Sequence, residues 1–295
     1  MHAIKKGAIS PVGRIFRPRP FIHEGAVHIA LFEGRVGSVR VRGNDHTRDV
    51  YIKSRMDIEP GAIPRYQDMD EAIRWFNATN DVQLRLALQA GEAPGTTDFT
   101  LTAEEPKNEV FTLYGDNAGG ETTGRWRKGF YYTNRSVFDW RDRFTLGLLH
   151  TQGVRSFNIG YSIPVGRRGG RLSFDYSANA TEVVSGQYRN WGIPVIGHAD
   201  AVQAAFTQPL WVTPTMKAEA SLTLSRQHSV TDMTEARLPM IDDTFTQGEA
   251  ALAFTHYGTG SAFYHRHAFT HGHWKNAALT RLAKPSADYR FYALN

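Results

Sequence analysis

Apolar and polar residues alternate along most of the second half of the chain. From about Val110 to the C-terminus, segments of roughly ten residues with this alternation are separated by polar turns. The clearest segments are residues 156–163, 171–177 and 216–225. Because successive side chains of a β-strand point to opposite faces, the pattern predicts strands with one apolar and one polar face.

Strands of this length with apolar aromatic side chains are typical of an outer-membrane β-barrel, whose apolar face contacts lipid. A water-soluble sandwich or barrel also alternates, because it buries its apolar face and exposes its polar one. The membrane interpretation is favoured by segments longer than the usual five or six residues and by aromatic residues near segment ends. These aromatic residues are Tyr131, Tyr132, Phe138, Trp140, Trp191, Trp211 and Trp274. The pattern therefore predicts an antiparallel transmembrane β-barrel of about nine or ten strands over residues 108–295.

Within residues 27–105, some segments repeat apolar residues at the spacing of a helix and others at the spacing of a strand. The predicted elements in chain order are strands at 27–31 and 36–41, helices at 47–56 and 67–77, and strands at 82–89 and 98–103. Thr47 is the predicted N-cap of the first helix, and Pro60-Gly61 is predicted to end it. The second helix places Met69, Ile73 and Phe76 on one side. This β-α-α-β-β order predicts an α+β unit in which a three-stranded sheet carries two helices on one face.

Composition narrows the function classes. A mean hydropathy of −0.41 and the lack of any run of about 18 apolar residues exclude a helical membrane protein. The absence of cysteine excludes a disulfide scaffold and a thiolate metal site or nucleophile. A net charge of +5 and a pI of about 9.4 would suit a nucleic-acid partner. The basic residues are dispersed, however, and we predict no nucleic-acid binding.

No catalytic or cofactor site is predicted. Four histidines share one strand parity: His265, His267, His271 and His273. An extended strand separates the first from the last by roughly 26 Å, which favours polar histidines near a loop over a metal site. Asp116-Asn117 and Asp242-Asp243 are better explained by hydrogen bonding in turns than by carboxylate chemistry. We therefore predict that the chain is not an enzyme and uses no metal or cofactor.

Several motifs resemble those of one known family. The sequences GSVRVRGN at residues 37–44, YIKSR at 51–55 and EPG at 59–61 resemble a polypeptide-transport-associated (POTRA) domain. LYGDNAG at 113–119, followed by Thr123-Gly124-Arg125, resembles the first barrel hairpin of the two-partner secretion transporters, the haemolysin secretion and activation family. Within this hairpin the family motif residues are Asp116, Asn117 and Gly124. The resemblance extends over about residues 25–295 in the family's order.

The resemblance implies a function. Such proteins lie in the outer membrane of Gram-negative bacteria, with POTRA domains in the periplasm, and each exports one large haemolysin or adhesin. The unfolded exoprotein would pair with the exposed edge of the POTRA sheet and then pass through the polar barrel lumen. The expected partners are this exoprotein and outer-membrane lipid. The predicted cargo-docking site is a basic cluster beside the sheet edge, formed by Arg40, Arg42, Lys53 and Arg55.

The chain also departs from the family pattern. The family has a signal peptide, a plug helix, two POTRA domains, about sixteen strands and a Val-Arg-Gly-aromatic tetrad in a barrel loop. The sequence shows one POTRA domain and no such tetrad after residue 108. We therefore expect a chain truncated at both ends. Its predicted parts are a linker or remnant of a preceding POTRA domain at 1–26, a POTRA domain at 27–107 and a partial barrel at 108–295. The alternatives are a β-rich binding or adhesin barrel that does not transport, and an inactive remnant.

Overall fold

The computed structural model describes residues 21–23, 26–28, 34–233, 238–277 and 286–295. The chain divides into two compact units, Met1–Pro106 and Lys107–Asn295. In the first unit, strands β1 (Phe21–His23) and β2 (Ala26–His28) form a two-stranded antiparallel sheet. Most of the strand predicted at 27–31 lies outside the described residues.

The rest of the first unit has the predicted β-α-α-β-β order. Its elements are β3 (Arg35–Arg42), α1 (Asp49–Met56), α2 (Tyr66–Thr79), β4 (Gln83–Ala90) and β5 (Thr96–Glu104). The three strands form one sheet in the order β3-β5-β4, in which β3 is parallel and β4 antiparallel to β5. The predicted α+β arrangement is confirmed. No helix in the described ranges combines the length and the apolar composition that a membrane-spanning helix requires.

Apolar side chains from α1, α2, β3, β4 and β5 form the core of this unit. Tyr51, Ile52 and Met56 of α1 pack with Phe76 of α2 in a buried cluster. The same cluster contains Val82, Leu84, Leu101 and Ala103 of the β4–β5 region, and Val39 and Val41 of β3 pack against it. The predicted stripe on α2 is confirmed, because Met69 and Phe76 are buried and Ile73 packs against the cluster.

The predicted N-cap of α1 is wrong, whereas the predicted last residue, Met56, is correct although Pro60-Gly61 does not end the helix. The N-cap residue is Arg48, whose side chain makes no capping hydrogen bond. Thr47 is instead buried, and its hydroxyl donates to the carboxylate of Glu105, far away in sequence. At the other end the helix stops at Met56, because Asp57 adopts a left-handed conformation with φ of 51°.

The second unit is one continuous antiparallel sheet. Its strands are β6 (Glu109–Asp116), β7 (Arg127–Asn134), β8 (Arg143–His150), β9 (Val154–Val165), β10 (Gly170–Glu182), β11 (Val195–Val212), β12 (Met216–Met233), β13 (Leu238–Gly258), β14 (Ser261–Asn276) and β15 (Ser286–Leu294). A single helical turn, α3 (Gln187–Asn190), lies between β10 and β11. Each strand pairs with its neighbours in sequence, and the 10-stranded sheet runs from β6 to β15. The predicted strand number is confirmed, but β11, β12 and β13 have 18, 18 and 21 residues and exceed the predicted length.

Strand pairing aligns the apolar positions of neighbouring strands, so that together these positions form one apolar face. Ile159 of β9 lies opposite Leu146 of β8 and Tyr176 of β10, and Tyr176 lies opposite Val202 of β11. Many large side chains of this face are exposed, such as Leu113, Phe174 and Leu224, and Leu224 is 59% exposed. The opposite, polar face carries the alternating Ser, Asn, Thr and charged residues, as the sequence predicts.

The apolar band runs diagonally across the strands. On β6 the band contains Phe111 and Leu113, and following the register from these residues to β12 leads to Arg226 and His228. The apolar band of β12 is instead centred near Leu222. The band therefore moves by about one residue per strand, which corresponds to a strand tilt of about 35° for a rise of about 3.3 Å and a spacing of about 4.8 Å. Tilts of this size are typical of closed and membrane-spanning barrels.

Aromatic side chains are divided between the two faces. Tyr132 lies on the apolar face, stacked on Phe111 with ring centroids 4.7 Å apart. Tyr131 lies on the polar face and stacks on Tyr114 at 6.0 Å. Trp274 also lies there, and its indole N–H donates to Asp243 over 2.9 Å. A lipid-facing position is therefore wrong for Tyr131 and Trp274, because strand parity turns them to the other face.

The core of the first unit predicts that alanine substitution destabilises the fold at one isoleucine and not at another. Ile52 is 0% exposed, whereas Ile63 is 48% exposed. In a fragment of residues 27–107, Ile52→Ala should lower the free energy of unfolding by about 2–5 kcal/mol, because it leaves a cavity. The control Ile63→Ala should change it by about 0.5 kcal/mol or less. Urea unfolding followed by circular dichroism measures both values, and equal losses would contradict this core.

Candidate functional site

The outer edge of β3 is partly covered. Val36 N donates to Ala62 O at 2.8 Å, and Gly61 N donates to Val36 O at 2.7 Å. A bulge follows between Val36 and Val39, where Ser38 N donates to the carboxylate of Asp98 at 2.7 Å. Bulges and covering loops are the usual means by which proteins block edge strands. In the described part of the chain, residues 39–42 are the segment of this edge that has neither protection.

Two of the four predicted docking residues lie on the open face of the sheet. Arg40 and Arg42 are exposed and alternate with Val39 and Val41, which pack into the core beneath the helices. Because neighbouring residues of a strand point to opposite faces, both arginines are on the face away from α1 and α2. Both arginines lie within the unprotected segment of the edge.

The other two docking residues lie on α1. The Lys53 ammonium is 3.1 Å from the carboxylate of Asp49. The Arg55 guanidinium stacks over the ring of Tyr51 at 3.6 Å and donates to the Tyr51 carbonyl at 3.0 Å. The four residues therefore form two pairs on different faces of the sheet, and not one continuous cluster.

The ion pair on α1 also lowers the pKa of the Asp49 carboxyl group. The hydrogen bond from Lys53 holds the pKa of Asp49 below its ordinary value of 3.8. A lowered pKa in the folded state means that this contribution to stability is complete above pH 3.8 and is lost as the pH falls through the folded-state value. Near neutral pH the charge of Lys53 is therefore largely balanced by Asp49, whereas Arg40 and Arg42 lie on the face without this carboxylate.

The barrel motif residues lie where β6 ends. The carboxylate of Asp116 accepts hydrogen bonds from Arg127 Nε at 2.7 Å and Nη2 at 2.9 Å. It also accepts one from Ala118 N at 2.9 Å, which closes an Asx turn. Asn117 is exposed in the same turn. Asp116 therefore joins the ends of β6 and β7 and shapes the loop between them, in agreement with the predicted turn role.

This loop is tied to two others at the same end of the sheet. The Thr123 carbonyl accepts hydrogen bonds from Gly153 N at 2.8 Å and from the Thr151 hydroxyl at 2.6 Å, both in the β8–β9 turn. The Thr122 carbonyl accepts one from Val184 N at 2.8 Å, in the β10–β11 loop. We call these three tied connections the loop cluster. Thr151 and Gly153 were missed by the sequence analysis, because only the fold brings their turn beside residue 123.

Gly124 is required by the close approach of these loops. Its φ is +103°, and a Cβ atom at this position would lie 2.9 Å from Gln152 N and 2.8 Å from Gln152 Cβ. A Cβ atom on Gly119 would lie 2.7 Å from the Arg125 carbonyl oxygen. The glycines of the motif therefore allow backbone segments to touch, and no phosphate-binding loop is formed.

Several charges on the polar face are paired within the sheet. Arg266 of β14 forms an ion pair with Glu249 of β13, and Lys217 lies 3.0 Å from Glu219 on β12. The Tyr289 hydroxyl donates to the Gln247 side chain at 2.9 Å, two strands away. This face presents hydrogen-bonding groups and balanced charges, a surface suited to contact with water and polypeptide.

The four histidines predicted to share a face do so, on the apolar face. His265 Nε2 is 3.2 Å from His256 Nε2, and His265 Nδ1 is 3.0 Å from His267 Nε2. Because His265 uses a different nitrogen toward each neighbour, the three imidazoles do not converge on one point. His271 contacts Arg290, and His273 contacts Asp288. Across the described ranges no group of His, Asp or Glu is arranged to hold a metal ion.

Comparison with known sequences identifies relatives of the chain. Residues 95–295 match the family model described as haemolysin secretion/activation protein ShlB/FhaC/HecB. The heme/hemopexin transporter protein HuxB of Haemophilus influenzae strain Rd is 23% identical over 231 residues, which cover 76% of this chain and 40% of HuxB. HuxB of strain 86-028NP gives the same identity and coverage. The chain thus spans less than half the length of these curated relatives.

Solved structures with the same fold include two proteins named CdiB. CdiB from Escherichia coli gives a TM-score of 0.66 at 18% identity, over 85% of this chain and 48% of that chain. CdiB from Acinetobacter baumannii gives a TM-score of 0.62 at 16% identity, over 91% of this chain and 53% of that chain. At these identities the similarity shows the fold alone, an α+β region followed by an antiparallel β-barrel.

The loop cluster predicts a difference between two glycines with positive φ. Gly124→Ala should lower the thermal stability of the folded sheet, because the methyl group meets Gln152 as well as adopting an unfavourable φ. Gly166→Ala is the matched control, since Gly166 has a φ of +69° with no atom within 4 Å of the added Cβ. The control isolates the backbone effect of about 1 kcal/mol. Heat-modifiable electrophoretic mobility in detergent measures both, and equal midpoints would contradict the steric requirement.

Proposed function

Because the chain belongs to the haemolysin secretion/activation family of outer-membrane β-barrel transporters, we propose that it takes part in moving an unfolded partner protein across the outer membrane. The observation that carries the proposal is the sheet of 10 antiparallel strands with an exposed apolar face and a polar face of paired charges. The printed name of HuxB, a transporter, supports the same class of function. The partner is a secreted exoprotein of haemolysin or adhesin type.

The apolar face contacts lipid and the polar face lines the lumen. Exposed side chains such as Leu224 and Phe174 would be unfavourable in water but are suited to acyl chains. The polar face offers donors, acceptors and ion pairs, which an extended polypeptide can exchange for its own water contacts. Transport through this lumen needs no nucleotide, and folding of the cargo outside the cell makes the movement effectively one-way.

In this proposal residues 27–107 are a POTRA domain that lies in the periplasm. The unprotected edge of β3, residues 39–42, is the docking strand for the unfolded exoprotein. An added strand gains main-chain hydrogen bonds without requiring a particular sequence, while Arg40 and Arg42 favour acidic segments. Lys53 and Arg55 lie on the opposite face of the sheet. They contribute less to docking, because the Lys53 charge is already balanced by Asp49.

The face assignment is tested with two neighbouring residues of β9. Ile159 is on the apolar face and Asn158 on the polar face. Ile159→Arg should destabilise the barrel by about 2–4 kcal/mol near the bilayer midplane, whereas Asn158→Arg should have a much smaller effect. Leu222→Arg on β12 should behave like Ile159→Arg. Folding into liposomes measures these values in the complete gene product, and equal destabilisation by Ile159→Arg and Asn158→Arg would remove the lumen assignment.

The docking assignment is tested by separating the two basic pairs. Replacing Arg40 and Arg42 with Ser should weaken cargo binding and secretion, because both residues border the open edge. Replacing Lys53 and Arg55 with Ser, which removes the same formal charge, should have the smaller effect. The quadruple variant should leave barrel assembly intact, and raised salt should weaken binding of the wild type. Fluorescence anisotropy with an unfolded cargo segment gives the affinities, and unchanged affinity in the quadruple variant would leave main-chain pairing as the sole source of binding.

A further inference from the structure

Three basic side chains lie side by side on the apolar face, just beyond the apolar band. Lys128 of β7 is directly opposite His150 of β8, and His150 is directly opposite Arg155 of β9. All three side chains are exposed. Opposed residues of adjacent strands have Cβ atoms about 5 Å apart, so the three side chains lie within reach of one small anion. We call these three residues the basic row.

A row of large apolar side chains lies directly beneath the basic row. On each strand the next residue of the same face is apolar: Phe130, Leu148 and Phe157. Leu113 of β6 continues this row. Together with the basic row these residues line an open groove of about 720 Å³. The groove therefore has an apolar floor and a cationic rim.

One carboxylate lines the groove: Asp200 of β11 lies opposite Ala178, and its Oδ1 is 3.6 Å from the His228 ring. The basic row is flanked in register by Gly115 of β6 and Ala180 of β10, and the row beneath it ends with Ala178. Across β6 to β10 these two rows hold no Asp or Glu. Three cations of the polar face, Arg127, Lys217 and Arg266, have the acidic partners Asp116, Glu219 and Glu249. Neighbouring like charges in register destabilise a sheet, so an external anion would stabilise this arrangement.

We propose that the basic row and the groove beneath it bind a lipid whose headgroup carries phosphate. The phosphate accepts hydrogen bonds from Lys128 and Arg155, with His150 between them, and the acyl chains lie over Phe130, Leu148 and Phe157. This inference rests on the proposed function, which places the apolar face in lipid. The row lies near the C-terminal end of β6, beside Gly115, and therefore belongs to the leaflet at that end of the strands.

The depth of the row supports a lipid over a soluble ligand. A headgroup phosphate lies at the boundary of the hydrocarbon layer, which is where the apolar band of β7, β8 and β9 ends. The cost of placing cations at this boundary is small, and each Lys or Arg near an anionic membrane surface adds to the attraction. An acidic polypeptide would satisfy the charges but would leave the apolar floor beside them unused.

The test uses the purified chain folded in a neutral detergent. Native mass spectrometry compares the binding of short-chain phosphatidic acid with that of phosphatidylcholine of the same acyl length. We expect phosphatidic acid to bind at least about tenfold more tightly to the wild type. The variant K128Q/R155Q should lose roughly 10- to 30-fold in this affinity, because two charge contacts are removed. The control R167Q/R168Q removes the same charge from the exposed turn at the opposite end of β9 and should change the affinity less than twofold.

Several outcomes would overturn the proposal. They are equal affinity for the two lipids, an equal loss in R167Q/R168Q, full competition by inorganic phosphate at the lipid's concentration, and displacement by an acidic peptide at that concentration. Unchanged heat-modifiable mobility shows that K128Q/R155Q is folded. A wild-type chain that binds phosphatidic acid selectively but supports no secretion in cells would contradict the proposed function alone. Secretion without lipid preference would contradict the lipid site alone.

Discussion

Main-chain pairing between neighbours in sequence is the constraint on which this structure depends. Inside a hydrocarbon layer each unpaired N–H or C=O group costs several kcal/mol, so a spanning strand needs a partner along its whole buried length. Here each strand from β6 to β15 obtains that partner from the strand before or after it. Once one register is set, strand parity determines the face of the following side chains up to the next bulge, such as the one between Pro209 and Trp211. Ile159 and Tyr176 thereby belong to the same apolar face.

The same constraint explains the loop cluster. Long strands tilted across a membrane end at different heights, and their connections leave backbone groups without partners in the sheet. The carbonyls of Thr122 and Thr123 accept hydrogen bonds from two other connections. This contact is close enough that only glycine fits at residue 124. A motif of Asp, Asn and Gly at this position therefore has a structural cause, with Asp116 closing the hairpin and Gly124 allowing the loops to meet.

In the first unit, the edge strand β3 is protected over only part of its length. At Val36 the edge of β3 is covered by residues 61 and 62, and the bulge at residues 37 and 38 directs one N–H toward Asp98. Beyond the bulge the edge has no such protection in the described part of the chain. Protection of one half of an edge limits uncontrolled association, while the open half keeps a surface for strand addition. The division of the cations between two faces gives Arg40 and Arg42 the position nearest to that surface.

Local pattern determined much of this protein. Alternation in segments such as residues 156–163 gave the strand type, the approximate strand number and the two faces, because side-chain direction in a strand repeats every two residues. Only the tertiary structure decided what depends on register and on contacts between distant segments. In the folded protein Thr47 donates a hydrogen bond to Glu105, and Tyr131 lies on the polar face beside Tyr114. Lys53 and Arg40 lie on different faces of the sheet. The tertiary structure also aligned Lys128, His150 and Arg155, which come from three strands and share no sequence motif. Their alignment follows from pairing across strands, a property that no single segment contains.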